Sequence, residues 1–321
     1  MHKNRYLEHS QEAYFPLQFQ PWWLDAVCGP EHWQACVAVD KGGNLTGALP
    51  YFLRRQWGMD TIALPPLSAY AGPWLVYPDN PDFKRHSRYT FEKAVCETLI
   101  AQLPKTVFFS QNFHPDIQNW YAFYTKGFRQ TTRYTYCFEP IQDLQACFNA
   151  FKSGVRANLK KMERAVHIAR ADERADLIFA LHCDGLRQKG LGAPCPPAVF
   201  GRLHKALQMR GQSAAWLAVD SSDGTPHAGL YLAFDQRKAS ILVSGVNARH
   251  KGSCAIYGLI WEAIQFAGHK GMALDFEGSM DAGVEHLFRS FGAVMKPYFS
   301  VWKGGNRWLE MGYGAYRNFI K

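Results

Sequence analysis

Hydrophobic and polar positions follow the same order in the two halves of the chain. Around Asp40 the sequence reads ACVAVDKGGNLTGALPYFL, and around Asp220 it reads AAWLAVDSSDGTPHAGLYLAF. Each segment has two apolar runs separated by a glycine-containing turn, which is typical of a β-hairpin. Because both segments share Ala-Val-Asp before the turn and a glycine soon after it, we interpret them as copies of one unit.

Apolar runs and helical periodicities continue in the same order after each hairpin. In the first half they predict a strand, a helix, a strand, a helix and a strand at 59–64, 88–102, 105–110, 115–125 and 128–138. In the second half the same elements are predicted at 239–246, 254–268, 272–276, 281–290 and 294–303. Strands that alternate with helices predict an α/β (α+β) fold with a mixed central sheet flanked by helices in each half. We place the domain boundary between 140 and 141, after Glu139-Pro140, which gives domains 1–140 and 141–321.

Composition excludes several classes of protein. Of the 321 residues, 47% are apolar and 20% charged, which is typical of globular domains, and the net charge of +9 favours anionic partners. The eight cysteines form no C-x-x-C pair, so no zinc site is predicted and reduced thiols in the cytoplasm are expected. No apolar stretch is long enough for membrane insertion, and no secretory signal is evident.

Three segments of the second half resemble a known family. They are FKSGVRANLKKMERA at 151–165, RHKGSC at 249–254, and LDFEGSMDAGVEHLFRSFGA at 274–293. Together with the order of elements, they resemble the GNAT acyltransferase fold, and in particular the Fem-type aminoacyl transferases. The resemblance implies two GNAT-like domains in tandem, of which the first is degenerate and the second carries the site.

The turn before the predicted helix 254–268 is the candidate donor-binding loop. Its arginine and glycine match the Gln/Arg-x-x-Gly-x-Gly/Ala pattern of the GNAT pyrophosphate loop. Such a loop can direct backbone N–H groups at a phosphate, aided by the helix dipole. The candidate residues are Arg249, His250, Lys251, Gly252 and Ser253. Cys254 departs from the pattern where a small residue is expected, and an ordinary strand-to-helix turn is the alternative.

Two carboxylates end the predicted strand 272–276. Asp275 and Glu277 lie on one face of the strand by alternation, and ligands of α/β sheets bind at the carboxyl ends of strands. Either carboxylate could take a proton from an attacking amine. The alternative is that both only orient the following loop through hydrogen bonds.

Basic residues form two further candidates. Arg156, Lys160 and Arg164 recur every four residues, so a helix would place them in one stripe that could bind a nucleotide or an acceptor. A solvated helix face is the alternative. The Fem-type resemblance implies a cation near Arg289 that stabilises the oxyanion of a tetrahedral intermediate. A surface charge at a helix end is the alternative reading of Arg289.

These features predict an acyltransferase that moves an acyl or aminoacyl group to a small-molecule or peptidyl amine. The donor is either acyl-CoA or aminoacyl-tRNA, and tRNA is therefore a candidate partner; no metal is predicted. The departure at Cys254 and the net charge favour aminoacyl-tRNA. The alternative function is a non-catalytic ligand-binding or cell-envelope assembly protein that retains the fold.

Overall fold

A computed structural model describes residues 2–56, 58–80, 83–278, 280–305 and 312. Its contacts divide the chain into two compact units. Unit 1 comprises Met1–Arg133 and Pro297–Lys321, and unit 2 comprises Tyr134–Lys296. The stretch 306–321 of the predicted second domain lies outside the described residues, apart from position 312.

Unit 1 begins with two short helices, followed by strands and two further helices. The helices are α1 (His2–His9), α2 (Pro21–Cys28), α3 (Arg85–Ala101) and α4 (Tyr121–Thr125). The strands are β1 (Trp33–Val39), β2 (Leu45–Gln56), β3 (Met59–Ala63), β4 (Trp74–Leu75), β5 (Phe108–Asn112) and β6 (Arg129–Phe138). The sheet order is β1-β2-β3-β5, with β4 paired to β2.

Unit 2 repeats this plan, with five helices and strands before its hairpin where unit 1 has two. Its helices are α5 (Leu144–Ala150), α6 (Ser153–Met162), α7 (Ala175–Gln188), α8 (Pro197–Gln208), α9 (Ala255–His269) and α10 (Ala282–Ser290). The strands of this half of the chain are β7 (Val166–Arg170), β8 (Ser213–Asp220), β9 (Pro226–Phe234), β10 (Lys238–Val246), β11 (Ala273–Asp275) and β12 (Val294–Gly304), and β12 belongs to unit 1 from Pro297 onward. The sheet order is β6-β11-β10-β9-β8-β7.

Helices cover both faces of the unit 2 sheet. The apolar face of α9, including Leu259, Ile260 and Ala263, is fully buried against the sheet together with α6. On the other face, α7 packs closely on β9 and β10, where Gly229 and Gly245 leave room for it. This layered arrangement confirms the predicted α/β class with a mixed sheet flanked by helices.

The last strand of each half runs across the division between the units. β6 leaves unit 1 after Arg133, and β12 enters unit 1 at Pro297. The reason is strand pairing: Leu274 and Asp275 of β11 pair with Phe138 and Cys137, whereas Ser300–Gly304 pairs with β5. The contact units therefore differ from the contiguous ranges 1–140 and 141–321 expected from the sequence. Among the described residues, no helix has the length and hydropathy needed to cross a membrane.

Candidate active site

The two parallel strands in the middle of unit 2 separate after three paired residues. β10 and β11 pair at Lys238–Ala273, Ala239–Leu274 and Ser240–Asp275. β11 then ends, whereas β10 continues to Val246 against β9. The space beside the second half of β10, called here the β10–β11 gap, is a candidate binding site because sheet edges at strand carboxyl ends hold ligands in α/β folds.

Backbone groups of β10 face this gap. Asn247 N donates to His227 O at 2.8 Å, which fixes that pair as hydrogen-bonded in the antiparallel ladder. Hydrogen-bonded and non-hydrogen-bonded pairs alternate, so the Ser244–Leu230 pair, three positions earlier, is non-hydrogen-bonded. The N–H and C=O groups of Ser244 therefore point away from β9, toward the β10–β11 gap.

Asp275 lies where the gap begins and is engaged by its surroundings. It is completely buried, and its Oδ1 accepts hydrogen bonds from Thr135 Oγ1 at 2.7 Å and Glu277 N at 2.8 Å. Its Oδ2 lies 3.2 Å from Lys238 Nζ. Burial opposes the charge on Lys238, but the attraction and hydrogen bond of Asp275, together with the nearby Cys137 and Glu277, outweigh burial and raise the pKa of the ammonium group. This geometry supports the alternative in which Asp275 orients the chain.

The residues after Asp275 turn the chain out of the sheet. Glu277 and Gly278 adopt left-handed backbone conformations, with φ of 56° and 69°. A Cβ at Gly278 would lie 2.7 Å from the carbonyl oxygen of Tyr134, so glycine is required there. Glu277 is half-buried at this turn, two residues after the end of β11.

The candidate donor loop is a 3-10 helix, Ala248–Ser253, that leads into α9. Part of its polar surface is used internally: His250 N donates to Asn247 O at 3.0 Å, and Ser253 Oγ donates to His250 O at 2.8 Å. Cys254 follows at the N-cap of α9 in a left-handed conformation, with φ of 59°. Most of the arginine, lysine and glycine surface of the loop is exposed to solvent.

A groove separates this loop from the C-terminal turn of α7. Its volume is about 560 Å³, and it is lined by Leu181, Asp184, Arg187, Gln188, Val246, Asn247, Ala248 and Arg249. Lys251 Nζ donates to Gln188 Oε1 at 3.3 Å, and Lys189 Nζ lies 2.8 Å from Asp281 Oδ2 at the start of α10. The end of α7 is thus tied both to the loop after β10 and to the helix after β11.

His250 of the loop stacks on a buried histidine. The rings of His250 and His227 are 4.0 Å apart between centroids and inclined by 21°. Burial lowers the pKa of His227, and the neighbouring His250 lowers it further, although the carboxylate of Asp220 acts in the opposite direction. Neither ring nitrogen of His227 has a hydrogen-bond partner among the described residues.

In the structure, the three residues of the predicted basic stripe have different surroundings. Arg156 Nη1 donates to the carbonyl oxygens of Asn149, at 3.0 Å, and of Phe151, so this arginine holds the junction between α5 and α6. Lys160 is exposed on α6, and Arg164 is exposed just beyond the helix end. Only the last two present their charge fully to solvent.

Arg289 forms a network with its own helix and with β6. Its Nε donates to Glu285 Oε1 at 2.8 Å, and the same oxygen accepts a hydrogen bond from Tyr136 OH at 2.5 Å. The bonds from Arg289 and Tyr136 lower the pKa of Glu285. The Arg289 side chain is 60% exposed, so its positive charge is partly matched by Glu285 at the surface of α10.

The structure brings the predicted donor loop and the predicted carboxylates to the two sides of the β10–β11 gap. Arg156 and Arg289 hold local contacts instead. Sequence reasoning missed two groups at this site, Lys238 beside Asp275 and His182, whose Nδ1 lies 2.8 Å from Ser244 O. A sequence signal for His182 is weak, since a single histidine on an amphipathic helix has no motif around it.

The equivalent space in unit 1 is filled by its own chain. β3 and β5 pair in parallel at Thr61–Phe108 and Ile62–Phe109 only. Beyond β3, Ala71 N donates to Asn112 O at 2.6 Å, and Asn112 Nδ2 donates to Ala69 O at 3.1 Å. The segment that follows β3, which contains Ala69 and Ala71, therefore lies along β5.

Comparisons with known proteins define the class of the second unit. Residues 149–283 match the family described as Acetyltransferase (GNAT) domain. This range runs from α5 through β10, the candidate donor loop and β11 into α10, so the match to the GNAT family falls within unit 2. No curated protein sequence matches the chain.

Solved structures place the whole chain among tandem GNAT folds. FemX superposes with a TM-score of 0.62 at 11% identity, covering 93% of this chain and 94% of FemX. L-PGS from Bacillus licheniformis gives 0.51 at 12% identity, with 96% and 93% covered. A tandem GNAT protein from the clavulanic acid biosynthesis pathway gives 0.50 at 12% identity, with 94% of each chain covered. The fold of the chain is therefore similar to that of FemX and of tandem GNAT proteins.

Proposed function

We propose that the protein transfers an acyl group from an activated donor to an amine acceptor, and that the reaction takes place at the β10–β11 gap. The observation that carries the proposal is the separation of β10 from β11 after Ser240–Asp275, directly beside the donor loop of a GNAT domain. An extended donor can lie along the free edge of β10 and bond its backbone groups.

The donor loop would bind the phosphates of the donor. Arg249, His250 and Lys251 supply positive charge or donors, and Gly252 and Ser253 supply backbone N–H groups near the start of α9. Much of the rate would come from holding the amine against the activated carboxyl group. Asp275 would set where the strands separate.

The gap favours acyl-CoA as the donor, because a pantetheine arm has the width and the amide groups to pair with one strand edge. Aminoacyl-tRNA is the second candidate. It is favoured by the internal hydrogen bonds of the donor loop, which leave fewer N–H groups for a pyrophosphate, and by the exposed cations Lys160 and Arg164.

Binding and transfer assays test the proposal. Acetyl-CoA and a charged tRNA are each titrated into the protein, and transfer to a panel of primary amines is measured. Arg249→Ala should weaken binding of the true donor about tenfold, equivalent to ~1.4 kcal/mol. The matched control is Arg174→Ala, an exposed arginine before the first turn of α7, at the end of this helix opposite Arg249.

The outcomes separate the candidate functions. Transfer from acetyl-CoA or from tRNA identifies the donor. Binding without transfer would support the non-catalytic ligand-binding alternative, including an assembly role at the cell envelope. If neither donor binds at micromolar concentration, the proposed function is wrong.

A further inference from the structure

His182 on α7 has its tautomer fixed by the backbone. The half-buried ring places Nδ1 2.8 Å from the carbonyl oxygen of Ser244. A carbonyl oxygen only accepts hydrogen bonds, so in the neutral ring Nδ1 carries the proton and Nε2 carries the lone pair. Among the described residues, Nε2 has no hydrogen-bond partner.

The bonded carbonyl shows where the ring lies. Ser244 occupies a non-hydrogen-bonded position opposite Leu230 of β9, so its carbonyl faces the β10–β11 gap. The α7 backbone is pressed onto the strand at this point, since a Cβ on Gly245 would lie 2.3 Å from His182 N. His182 is therefore held rigidly at the edge of the gap, beyond the last β10–β11 pair.

The charges around His182 leave its ring neutral near pH 7. Burial lowers its pKa, and the bond to Ser244 offsets this only in part. On α7, the nearby Asp184 carboxylate is bound by Arg187 at 2.7 Å. On the neighbouring α8 and β9, His204 and Tyr231 bond each other at 2.8 Å, and on β10 the charge of Lys238 is matched by Asp275.

We propose that His182 Nε2 is the general base of the acyl transfer, an inference that rests on the proposed function. In this step the acceptor nitrogen attacks the carbonyl carbon of the donor, and a C–N bond forms as the C–S or ester C–O bond breaks. The proton lost by the amine passes to Nε2 and from there to the leaving thiolate or alkoxide. The Nδ1–H bond to Ser244 then holds the imidazolium in place.

Two variants separate proton transfer from ring placement. His182→Asn keeps an N–H donor at the position of Nδ1 but has no group that accepts a proton, and His182→Ala removes both. With the donor identified above, both should lower kcat by about 10²–10⁴-fold, and the acidic limb of the wild-type pH–rate profile should disappear. Added imidazole should partly restore His182→Ala. His204→Asn is the matched control, since burial lowers the pKa of His204 too and its ring bonds Tyr231.

The experimental outcomes distinguish a failure of the proposed function from a failure of the role proposed for His182. An inactive wild-type protein contradicts the proposed function. An active wild type with an equally active His182→Asn, or an activity lost only in Glu277→Gln, overturns the role of His182. A third measurement needs no turnover. At pH 7.5, ¹⁵N NMR of the histidine rings should show a protonated Nδ1 and an unprotonated Nε2 for His182. The ¹⁵N resonances of this ring should shift when acetyl-CoA is added. The opposite tautomer also overturns the inference.

Discussion

At the scale of single residues, the surroundings of His227 in the fold determine which protonation state of its ring is favoured. This imidazole is 4% exposed, stacks on His250, and lies 3.3 Å from an Asp220 oxygen without a hydrogen bond in good geometry. Desolvation and the second ring both penalise its protonated form. The donor loop therefore packs on a buried histidine, His227, whose neutral form is favoured.

This arrangement predicts acid sensitivity. The pKa of His227 is lowered in the folded protein, so below its ordinary value of about 6.5 the unfolded chain binds more protons than the folded one. The free energy of unfolding should fall as pH decreases below about 6.5, by up to ~1.4 kcal/mol per pH unit for this group. His227→Gln should flatten the decrease, and exposed His167→Gln should not. Urea unfolding between pH 5 and 8 measures both.

Asp275 is the second residue whose surroundings determine its role, here in the stability of unit 2. Replacing it by Asn removes the charge opposite Lys238 and disturbs the acceptor for Thr135 and Glu277 N. Breaking a buried pair on one side costs about 3 kcal/mol, and we expect Asp275→Asn to destabilise unit 2 by that order. Exposed Glu163→Gln on the same unit is the control. Unchanged thermal unfolding would contradict the structural role.

At the scale of elements, α7 is positioned by contacts of glycine with its backbone. Gly229 faces Ile178, and Gly245 faces the backbone of Leu181 and His182. Interhelical and helix–sheet distances follow the side chains at the contact, so two glycines on adjacent strands let the helix approach closely. The approach brings the end of α7 to the donor loop and to α10.

Gly245→Ala tests this contact. The added methyl group cannot fit without moving α7 away from β10, so we expect a loss of about 1–3 kcal/mol in stability and a weaker His182–Ser244 bond. Gly201→Ala in the middle of α8 is the matched control, because a Cβ there meets open space. That change should stabilise the protein by up to ~1 kcal/mol. Denaturant unfolding compares the two directly.

At the scale of the whole molecule, the two units keep the same plan and differ where the donor would lie. In unit 2 the strand edge beyond Ser240 is free of β11, whereas in unit 1 the segment containing Ala71 pairs beside β5. A sheet edge that its own chain has filled offers no backbone groups to a ligand. One donor site per chain, in unit 2, is therefore expected.

Because the protein has a net charge of +9, the salt dependence of binding distinguishes a tRNA donor from an acyl-CoA donor. A tRNA bound through six to ten phosphates should lose about 10³–10⁵-fold in affinity between 50 and 200 mM salt, because condensed counterions are released on binding. Acetyl-CoA carries few charges, and we expect its affinity to fall by less than about tenfold. Fluorescence titrations of both donors across this range measure the slopes. If the affinity for acetyl-CoA fell with salt as steeply as the affinity for tRNA, this result would contradict the assignment of acyl-CoA as donor.

Much of the fold was determined locally, and the sequence by itself predicted it. The hairpins around Asp40 and Asp220 and the strands and helices after them were found within three residues of their predicted bounds, because period-2 and period-3.6 patterns report which face of each element is buried. The exception is α4, which begins at Tyr121 and not at position 115. The loop from Arg249 to Ser253 was likewise visible, since a strand, a glycine-containing turn and a helix are consecutive.

Only the tertiary structure decided which groups meet at the gap. Thr135 bonds Asp275 across 140 residues, and His182 bonds Ser244 across 62. The direction of the Ser244 carbonyl depends on its hydrogen-bond register with β9, and the exchange of β6 and β12 between units depends on strand pairing. Local patterns specify faces and periods but not partners, and a partner is chosen by packing over the whole chain.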